Sequence, residues 1–411
     1  MSSFACSEQL DAGNACLSDP TVCPQGDIAL RDTILEAVTA DTTVVGLPPI
    51  GVEDYMLLAN HGDSLDTRVI VRYDTLMQKF STKSGDSTIA RVDSAYVKLL
   101  ILVPDSAHKR TGPFTINVYD VDTSATLDTV SSAISSLFRP DRFLGSAEFT
   151  FQSLTDTLRV PVSDSAVLDK VKNGKPLRLG FQMVGTTGDL LITSTNKWAG
   201  TTLTYRASPD TTVSPVTATP LSHTPTDQSF LAGALADYVI VARTASPPVT
   251  SSLLSVGGEP SRRVYMRFDL PSSIVDSSTI VRATILLTQA PNQYGAARLD
   301  TMSVVPGAVL VSPQVKDIFT ALQFMSSAGS FGLSVLRTVP ADSGVKEIDI
   351  VQLVRTWRGQ TTTANPRVVA LRSATESQSG AEVDFYSTKA AAAVRPRLRL
   401  TYVPRTSFGV P

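Results

Sequence analysis

The chain has 411 residues, of which 42% are hydrophobic and 18% charged, with a formal net charge of -2. That length predicts two or three domains rather than one core, and the composition is that of a globular chain, not a disordered one. Without a basic excess to neutralise phosphates, nucleic acid is not an expected partner. No run approaches 18 apolar residues, so no segment reads as a spanning helix.

Residues 1–26 carry Ser, Asp, Gly, Pro and all three cysteines without periodicity and read as a tether. An odd cysteine count in one short region predicts one pair plus one thiol with another task. The expected pair is a Cys16–Cys23 disulfide closing a small loop, with Cys6 apart. Met-Ser-Ser-Phe-Ala-Cys resembles the end of a bacterial lipoprotein signal, which makes Cys6 the candidate lipid anchor to a membrane surface. Ser3 stands where that signal usually has leucine. With no histidine or fourth ligand nearby, the cysteines do not read as a zinc site.

From Asp27 the chain turns strand-like, with Ile28, Leu30, Ile34 and Val38 separated by polar residues. Tyr55–Ala59 and Arg68–Asp74 read as strands around a His61-Gly62-Asp63 turn. Strands follow at Tyr96–Val103, Phe114–Tyr119, Ala147–Phe151, Leu158–Val162, Leu177–Met183, Leu190–Thr193 and Thr202–Tyr205. Val130–Phe138 and Ser165–Lys172 read as short helices, the second with Asp164 as N-cap and Gly174 as stop. Residues 207–229, rich in Pro, Ser and Thr, read as an interdomain linker. The pattern restarts with strands at Asp237–Ala242, Leu253–Val256, Arg263–Asp269, Val281–Thr288, Ala297–Val305, Val335–Val339, Glu347–Ile350, Arg367–Arg372, Glu382–Tyr386 and Arg397–Val403. Helical spacing marks Ser312–Met325 and Val351–Trp357, the latter ended by Gly359.

The two halves repeat each other. Arg263-Val264-Tyr265-Met266-Arg267-Phe268-Asp269 echoes Arg68-Val69-Ile70-Val71-Arg72-Tyr73-Asp74, and both alternate with period two. Val264, Met266 and Phe268, like Val69, Val71 and Tyr73, are expected to face a core, with the arginines on the opposite face. Leu57-Leu58-Ala59 parallels Leu253-Leu254-Ser255, Asp164–Gly174 parallels Asp349–Gly359, and Leu203-Thr204-Tyr205 parallels Leu400-Thr401-Tyr402. A displacement of roughly 185–200 residues throughout marks tandem duplication of one domain. The expected fold is all-β, two tandem jelly-roll-like antiparallel β-sandwiches with a few short helices. The expected boundaries are a tether at 1–26, domain 1 at 27–206, the linker at 207–229, domain 2 at 230–404 and a tail at 405–411.

The second half resembles the DNRLRE domain, a jelly-roll sandwich of secreted and surface proteins that is also classed among carbohydrate-binding modules. The resemblance is carried by Arg263–Leu270, Ala283–Leu287, Ile348-Asp349-Ile350, Leu353-Val354, Trp357-Arg358-Gly359, Phe385-Tyr386-Ser387 and Arg395-Pro396-Arg397-Leu398 with Thr401-Tyr402. The first half departs from it: Lys172-Asn173-Gly174 replaces the Trp–Gly step, and the Arg-Pro-Arg approach to the last strand is missing. The resemblance implies a sandwich fold and life outside the cytoplasm.

His61-Gly62-Asp63-Ser64-Leu65 contains the Gly-Asp-Ser-Leu block of a serine esterase family, and Asp105-Ser106-Ala107-His108 offers an Asp-x-x-His. Those enzymes place the serine on a strand-to-helix turn, whereas Ser64 is expected between two strands, so no catalytic residues are assigned and the chain does not read as an enzyme. Asp120 and Asp122 offer the beginning of a structural calcium site but not a full ligand series; no other cofactor or metal is expected. Trp357 ends a short amphipathic helix and is expected in the core. Trp198 lies in a loop and is a candidate contact for a ligand or partner. Arg263, Tyr265 and Arg267 alternate on one strand face, as do Arg395, Arg397 and Arg399 on another, and they are the candidate contacts for an anionic glycan or an acidic protein surface.

The function these features favour is a non-catalytic, extracytoplasmic structural or assembly subunit. It would dock on protein partners in a larger complex; a membrane-embedded assembly of the photosynthetic reaction-centre type is one setting. The alternative is a pair of carbohydrate-binding modules for cell-wall or extracellular polysaccharide.

Overall fold

The protein is described by a computed structural model. The structure describes residues 30–404 apart from 84, 103–110, 123–129, 199, 224–234, 295–298, 311, 324, 326–331 and 360–365. The tether with Cys6, Cys16 and Cys23, the Asp105 and His108 pair, and the tail at 405–411 lie outside the described residues.

In chain order the strands are β1 (Arg31–Leu35), β2 (Val38–Val45), β3 (Tyr55–Asn60), β4 (Leu65–Tyr73), β5 (Lys79–Thr82), β6 (Gly85–Thr88), β7 (Ser94–Leu102) and β8 (Pro113–Asp120). Helix α1 (Ser131–Ser135) precedes β9 (Phe143–Thr150) and β10 (Thr157–Pro161), and α2 (Asp164–Lys172) precedes β11 (Leu177–Gly185), β12 (Gly188–Thr193), β13 (Thr202–Arg206), β14 (Val216–Ala218) and β15 (Asp237–Thr244). Then come β16 (Leu253–Gly257), β17 (Arg262–Phe268), α3 (Ser272–Val275), β18 (Ser278–Ala290), β19 (Met302–Val309), α4 (Ile318–Ala321), β20 (Leu336–Thr338) and β21 (Gly344–Asp349). The chain closes with α5 (Val351–Thr356), β22 (Val368–Ser373), β23 (Glu382–Tyr386) and β24 (Arg397–Pro404).

These strands form two jelly-roll-like antiparallel β-sandwiches with the same pairing scheme. In unit 1 the path runs β14-β13-β7-β12-β3-β4-β11-β8-β9, with β10 on β7 and β15 on β4. In unit 2 it runs β1-β24-β18-β23-β16-β17-β22-β19-β20, with β21 on β18 and β2 on β17. Every pairing in one has its counterpart in the other. The period-two reading holds at the repeated motif: Val69, Val71 and Tyr73 lie in the unit 1 core, and Val264, Met266 and Phe268 in the unit 2 core. Alternate side chains of a strand point to opposite faces, so the apolar set of each layer meets that of the other.

Sheet membership does not follow the expected boundaries. The strands β1 and β2, at the start of the first repeat, complete unit 2: Asp32 pairs with Thr401 on β24, and Asp41 pairs with Met266 on β17. The strands β14 and β15, at the start of the second repeat, complete unit 1: Thr217 pairs with Thr204, and Asp237 pairs with Val71. The chain has therefore exchanged the opening strands of its two repeats, and the connections 46–54 and 245–252 both cross from one unit to the other. Residues 207–229 are accordingly not a free linker throughout. Val216–Ala218 is a strand, and Leu221 bonds to both sides of the β4 end, its N–H donating to Arg72 O (2.8 Å) and its O accepting from Asp74 N (3.0 Å).

Several local expectations change in detail. Ser163, not Asp164, caps α2, its hydroxyl accepting from Ala166 N at 3.3 Å, while Gly174 ends the helix with a positive φ of 58° as expected. The helical spacing over 312–325 yields only the one turn of α4, capped by Asp317. The hairpin β5–β6 was not apparent in the sequence, because its residues are exposed and carry no alternating apolar set.

Trp357 is fully buried at the end of α5, tilted against Phe268 with ring centroids 5.7 Å apart. In unit 1, where Lys172 stands in the corresponding position, α2 enters the core through Val167 and Val171.

Candidate functional site

The outward face of β17 carries the first candidate set, but most of it is internally engaged. The Arg263 guanidinium sits on Glu376 through two bonds of 2.6 and 2.7 Å. Tyr265 is buried, its hydroxyl donating to Ala321 O at 3.1 Å. This face is sheathed by a small cluster that includes Val44, Val309, Val315 and Val368, beneath α4. Arg267 is the exception: its Nε donates to Thr39 Oγ1 at 3.2 Å, and the side chain borders a cleft of about 320 Å³. Tyr265, Val315 and Val368 line the cleft from the apolar side, and Lys316 is a second cation on its wall.

The same place in unit 1 is filled. Arg72 occupies the position of Arg267 in the repeat, and its side chain is fully buried against Asp74 at 3.0 Å. Arg178, which pairs across the ladder with Arg72, lies 3.8 Å from Asp74 and 3.5 Å from Asp122. Lys170 then reaches Asp122 at 3.3 Å and Asp120 at 3.1 Å. Across the ladder from Arg267 stands Val368, so this chain of alternating charges has no continuation in unit 2. A second difference opens the site further. The long β14–β15 connection runs over the Arg72–Asp74 end, with His223 N donating to Asp74 Oδ2 at 2.8 Å. The β1–β2 connection is only Glu36-Ala37 and leaves Asp269 exposed.

The other sequence candidates land apart from the cleft. Arg397 and Arg399 project from the outer face of β24, on the layer opposite β17, since Leu398 and Leu400 share the core with Val264 and Met266. Arg399 is held by Asp32 at 2.9 Å, and Arg395 Nε donates to Ala390 O at 2.8 Å. No single basic face therefore gathers both arginine sets. Trp198 is 74% exposed on the β12–β13 loop of unit 1. Beside it, Lys197 bonds Asp54 at 3.0 Å and lies over the Tyr55 ring. Asp120 and Asp122, the carboxylates offered for calcium, share the Lys170 ammonium instead. Ser64 lies in the β3–β4 turn, where its carbonyl accepts from Ala245 N at 2.9 Å.

Two groups of polar residues were not singled out from the sequence. The first is a pair of matched clasps. Asp237 on β15 accepts from Thr195 N at 2.8 Å and Thr195 Oγ1 at 2.7 Å. Asp41 on β2 accepts from Thr388 N at 2.6 Å and Thr388 Oγ1 at 2.9 Å. Ala40-Asp41 and Ala236-Asp237, with Ser194-Thr195 and Ser387-Thr388, are echoes in the sequence that would have found them. The second is the acid pair Glu53, on the 46–54 connection, and Glu259, in the β16–β17 turn. Burial pushes both up to about 8, with the Glu53 charge adding to the effect on Glu259. Both are neutral acids at pH 7. Neither lines the Arg267 cleft or the cleft of about 500 Å³ at Asp74–Lys79.

No protein-family model and no curated protein matches the chain. Among solved structures, a secreted-protein candidate from Parabacteroides distasonis is similar at 9% identity and a TM-score of 0.22, over 92% of this chain and 100% of that one. A peptide-N(4)-(N-acetyl-β-D-glucosaminyl)asparagine amidase is similar at 9% identity and a TM-score of 0.21, over 89% of this chain and 97% of that one. At those scores neither contributes to the argument for function.

Proposed function

We propose that this protein is a non-catalytic structural or assembly subunit that works outside the cytoplasm, docking on protein partners in a larger complex, with Cys6 as its tether to a membrane surface. The observation that carries the reading is the reciprocal strand exchange. The strands that open each sequence repeat complete the sandwich built mainly from the other, so the connections 46–54 and 245–252 both join the two units. The uncovered parts of the outer sheet faces would be the docking surface. The charged side chains on those faces are largely consumed in internal pairs: Arg263 with Glu376, Arg399 with Asp32, and Lys170 with Asp120 and Asp122. The DNRLRE resemblance of the second half fits the same extracytoplasmic setting. Gentle detergent capture of the native protein, followed by native and intact-mass measurement, tests it. The expected result is a defined complex heavier than the 43.8 kDa chain, with an acylated Cys6; recovery alone and unmodified would refute it.

A second reading, glycan binding, is favoured by the open Arg267 cleft, whose size admits about one sugar ring. A carboxylate-bearing sugar would meet Arg267 and Lys316. Calorimetric titration with an oligo-uronate expects saturable binding that is lost in Arg267→Ala; absence of binding to the unaltered chain removes this reading.

A further inference from the structure

The exchanged strands are not held equally. The strands β14 and β15 are joined to the described chain on both sides, through β13 and β16. The pair β1–β2 is joined to the rest of the described structure only through the connection 46–54. It is also the more lightly seated pair. No side chain of β1 is buried, and β2 buries Val38 and Val44. In β15, Asp237, Tyr238, Val239 and Ile240 are all buried. What seats β1–β2 is two ladder edges, one on β17 and one on β24, plus polar contacts at defined register: Asp41 on Thr388, and Asp32 on Arg399 and Thr401.

None of those contacts depends on which molecule supplies the strands. A sheet edge offers the same N–H and C=O groups to any strand of the right pattern. Exchange between chains would keep every contact of the pair and alter only the path of residues 46–54. We propose that β1–β2 is an exchangeable donor, and that this pair of strands from one copy of this chain docks on β24 and β17 of a second copy, one strand in each layer. The donor and its acceptor lie at different places on the molecule. Docking one copy therefore leaves a donor and an acceptor free, and copies join head to tail into rings or open chains, the smallest ring being a reciprocal dimer. Closure within one chain competes at an effective concentration on the order of millimolar. The exchanged form is thus populated where copies are crowded to that level or the two strands are loosened. This does not rest on the docking of other proteins: a capture experiment that finds no foreign partner leaves it standing.

The test uses full-length chains in which Cys6, Cys16 and Cys23 are replaced by serine. One carries Asp32→Cys and another Thr401→Cys, at partner positions of the β1–β24 ladder whose side chains touch, Thr401 Oγ1 lying 3.1 Å from Asp32 Oδ1. The two are mixed at millimolar concentration in sub-denaturing urea, diluted and oxidised. The expected product is a disulfide-linked dimer whose peptide map joins residue 32 of one chain to residue 401 of the other. A third chain carries both cysteines and is oxidised before mixing; its intrachain bond pins β1 to its own β24, and it is expected to stay monomeric. If the third chain closes its own bond but the mixture yields no 32–401 dimer, the proposal fails. It fails equally if the pinned chain associates as readily as the others, because the connector is then some other surface.

Discussion

Replacing Asp237 with alanine tests whether the exchanged strands hold the two sandwiches as one body. The carboxylate accepts two bonds from Thr195, at 2.8 and 2.7 Å, in a buried setting. Hydrogen bonds to a charged group contribute about 1.5–3 kcal/mol each, and their removal leaves the Thr195 donors facing a gap. Against this, burial of the carboxylate is itself unfavourable and raises its pKa, so the net loss is expected at about 2–4 kcal/mol. The twin substitution Asp41→Ala removes the matching bonds to Thr388 where the carboxylate is only half-buried, and about 1–2 kcal/mol is expected. The assay is urea unfolding followed both by circular dichroism and by the fluorescence of Trp357, which lies in the unit 2 core, in a Trp198→Phe background. Asp237 sits in unit 1. If the exchange couples the units, the Trp357 transition of Asp237→Ala moves to lower urea together with the dichroism transition. A Trp357 midpoint that stays in place while the dichroism splits into two steps would refute the reasoning, as would equal losses at the two aspartates.

Stability is expected to fall as pH rises from about 4.5 to about 8, because Glu53 and Glu259 hold their protons in the fold up to about 8 while the unfolded chain releases them near 4.5. For one group that difference corresponds to about 5 kcal/mol at most, and the double variant Glu53→Gln with Glu259→Gln should flatten the slope of unfolding free energy against pH. Glu382, pushed up to about 7 mainly by burial, contributes in the same direction and should leave a smaller residual slope. Trp357→Ala should cost about 3–5 kcal/mol by chemical denaturation, since it empties the site against Phe268. Gly145→Ala would drive a Cβ into Pro161 O, a backbone atom that cannot step aside alone. A loss of about 1–3 kcal/mol is expected in the same measurement, and a neutral result would mean that β9 and the end of β10 are not so closely apposed.

The architecture was legible where one side chain in two had to enter a core. Val69, Val71 and Tyr73, with Val264, Met266 and Phe268, could be assigned inward from alternation alone, and the duplicated blocks implied two copies of one scheme. The outer faces were not legible. Alternation put Arg72 and Arg263 away from the core, which is correct, but it could not tell that these faces are themselves covered by α1, α4 and their loops. Arg72 is consequently buried. Arg263 finds Glu376, 113 positions away in sequence, which no local pattern announces. β2 went unread as a strand because it is an edge: with only Val38 and Val44 buried, its residues Thr39–Thr43 show no apolar alternation.

The exchange itself was hidden for a different physical reason. Tandem copies displaced by about 195 residues look the same whether each opening pair of strands folds back on its own repeat or crosses to the other, because both units offer the same edges at the same register. Both units offer β2 an Arg-Val-x-x-Arg strand to pair with, and nothing in the pattern of β2 distinguishes one from the other. The choice rests on the short connections 46–54 and 245–252. Their crossing also gives the two copies different fates at the arginine that ends the motif. Unit 1 receives β15 together with the segment that precedes it, of which Leu221 and His223 bond to the Arg72–Asp74 end of β4. Unit 2 receives β2 behind a two-residue turn, and Arg267 borders a cleft. Duplication supplied two equivalent positions, and the donated strands arrive at them differently: one arginine is buried in a charge network, the other lines a cleft.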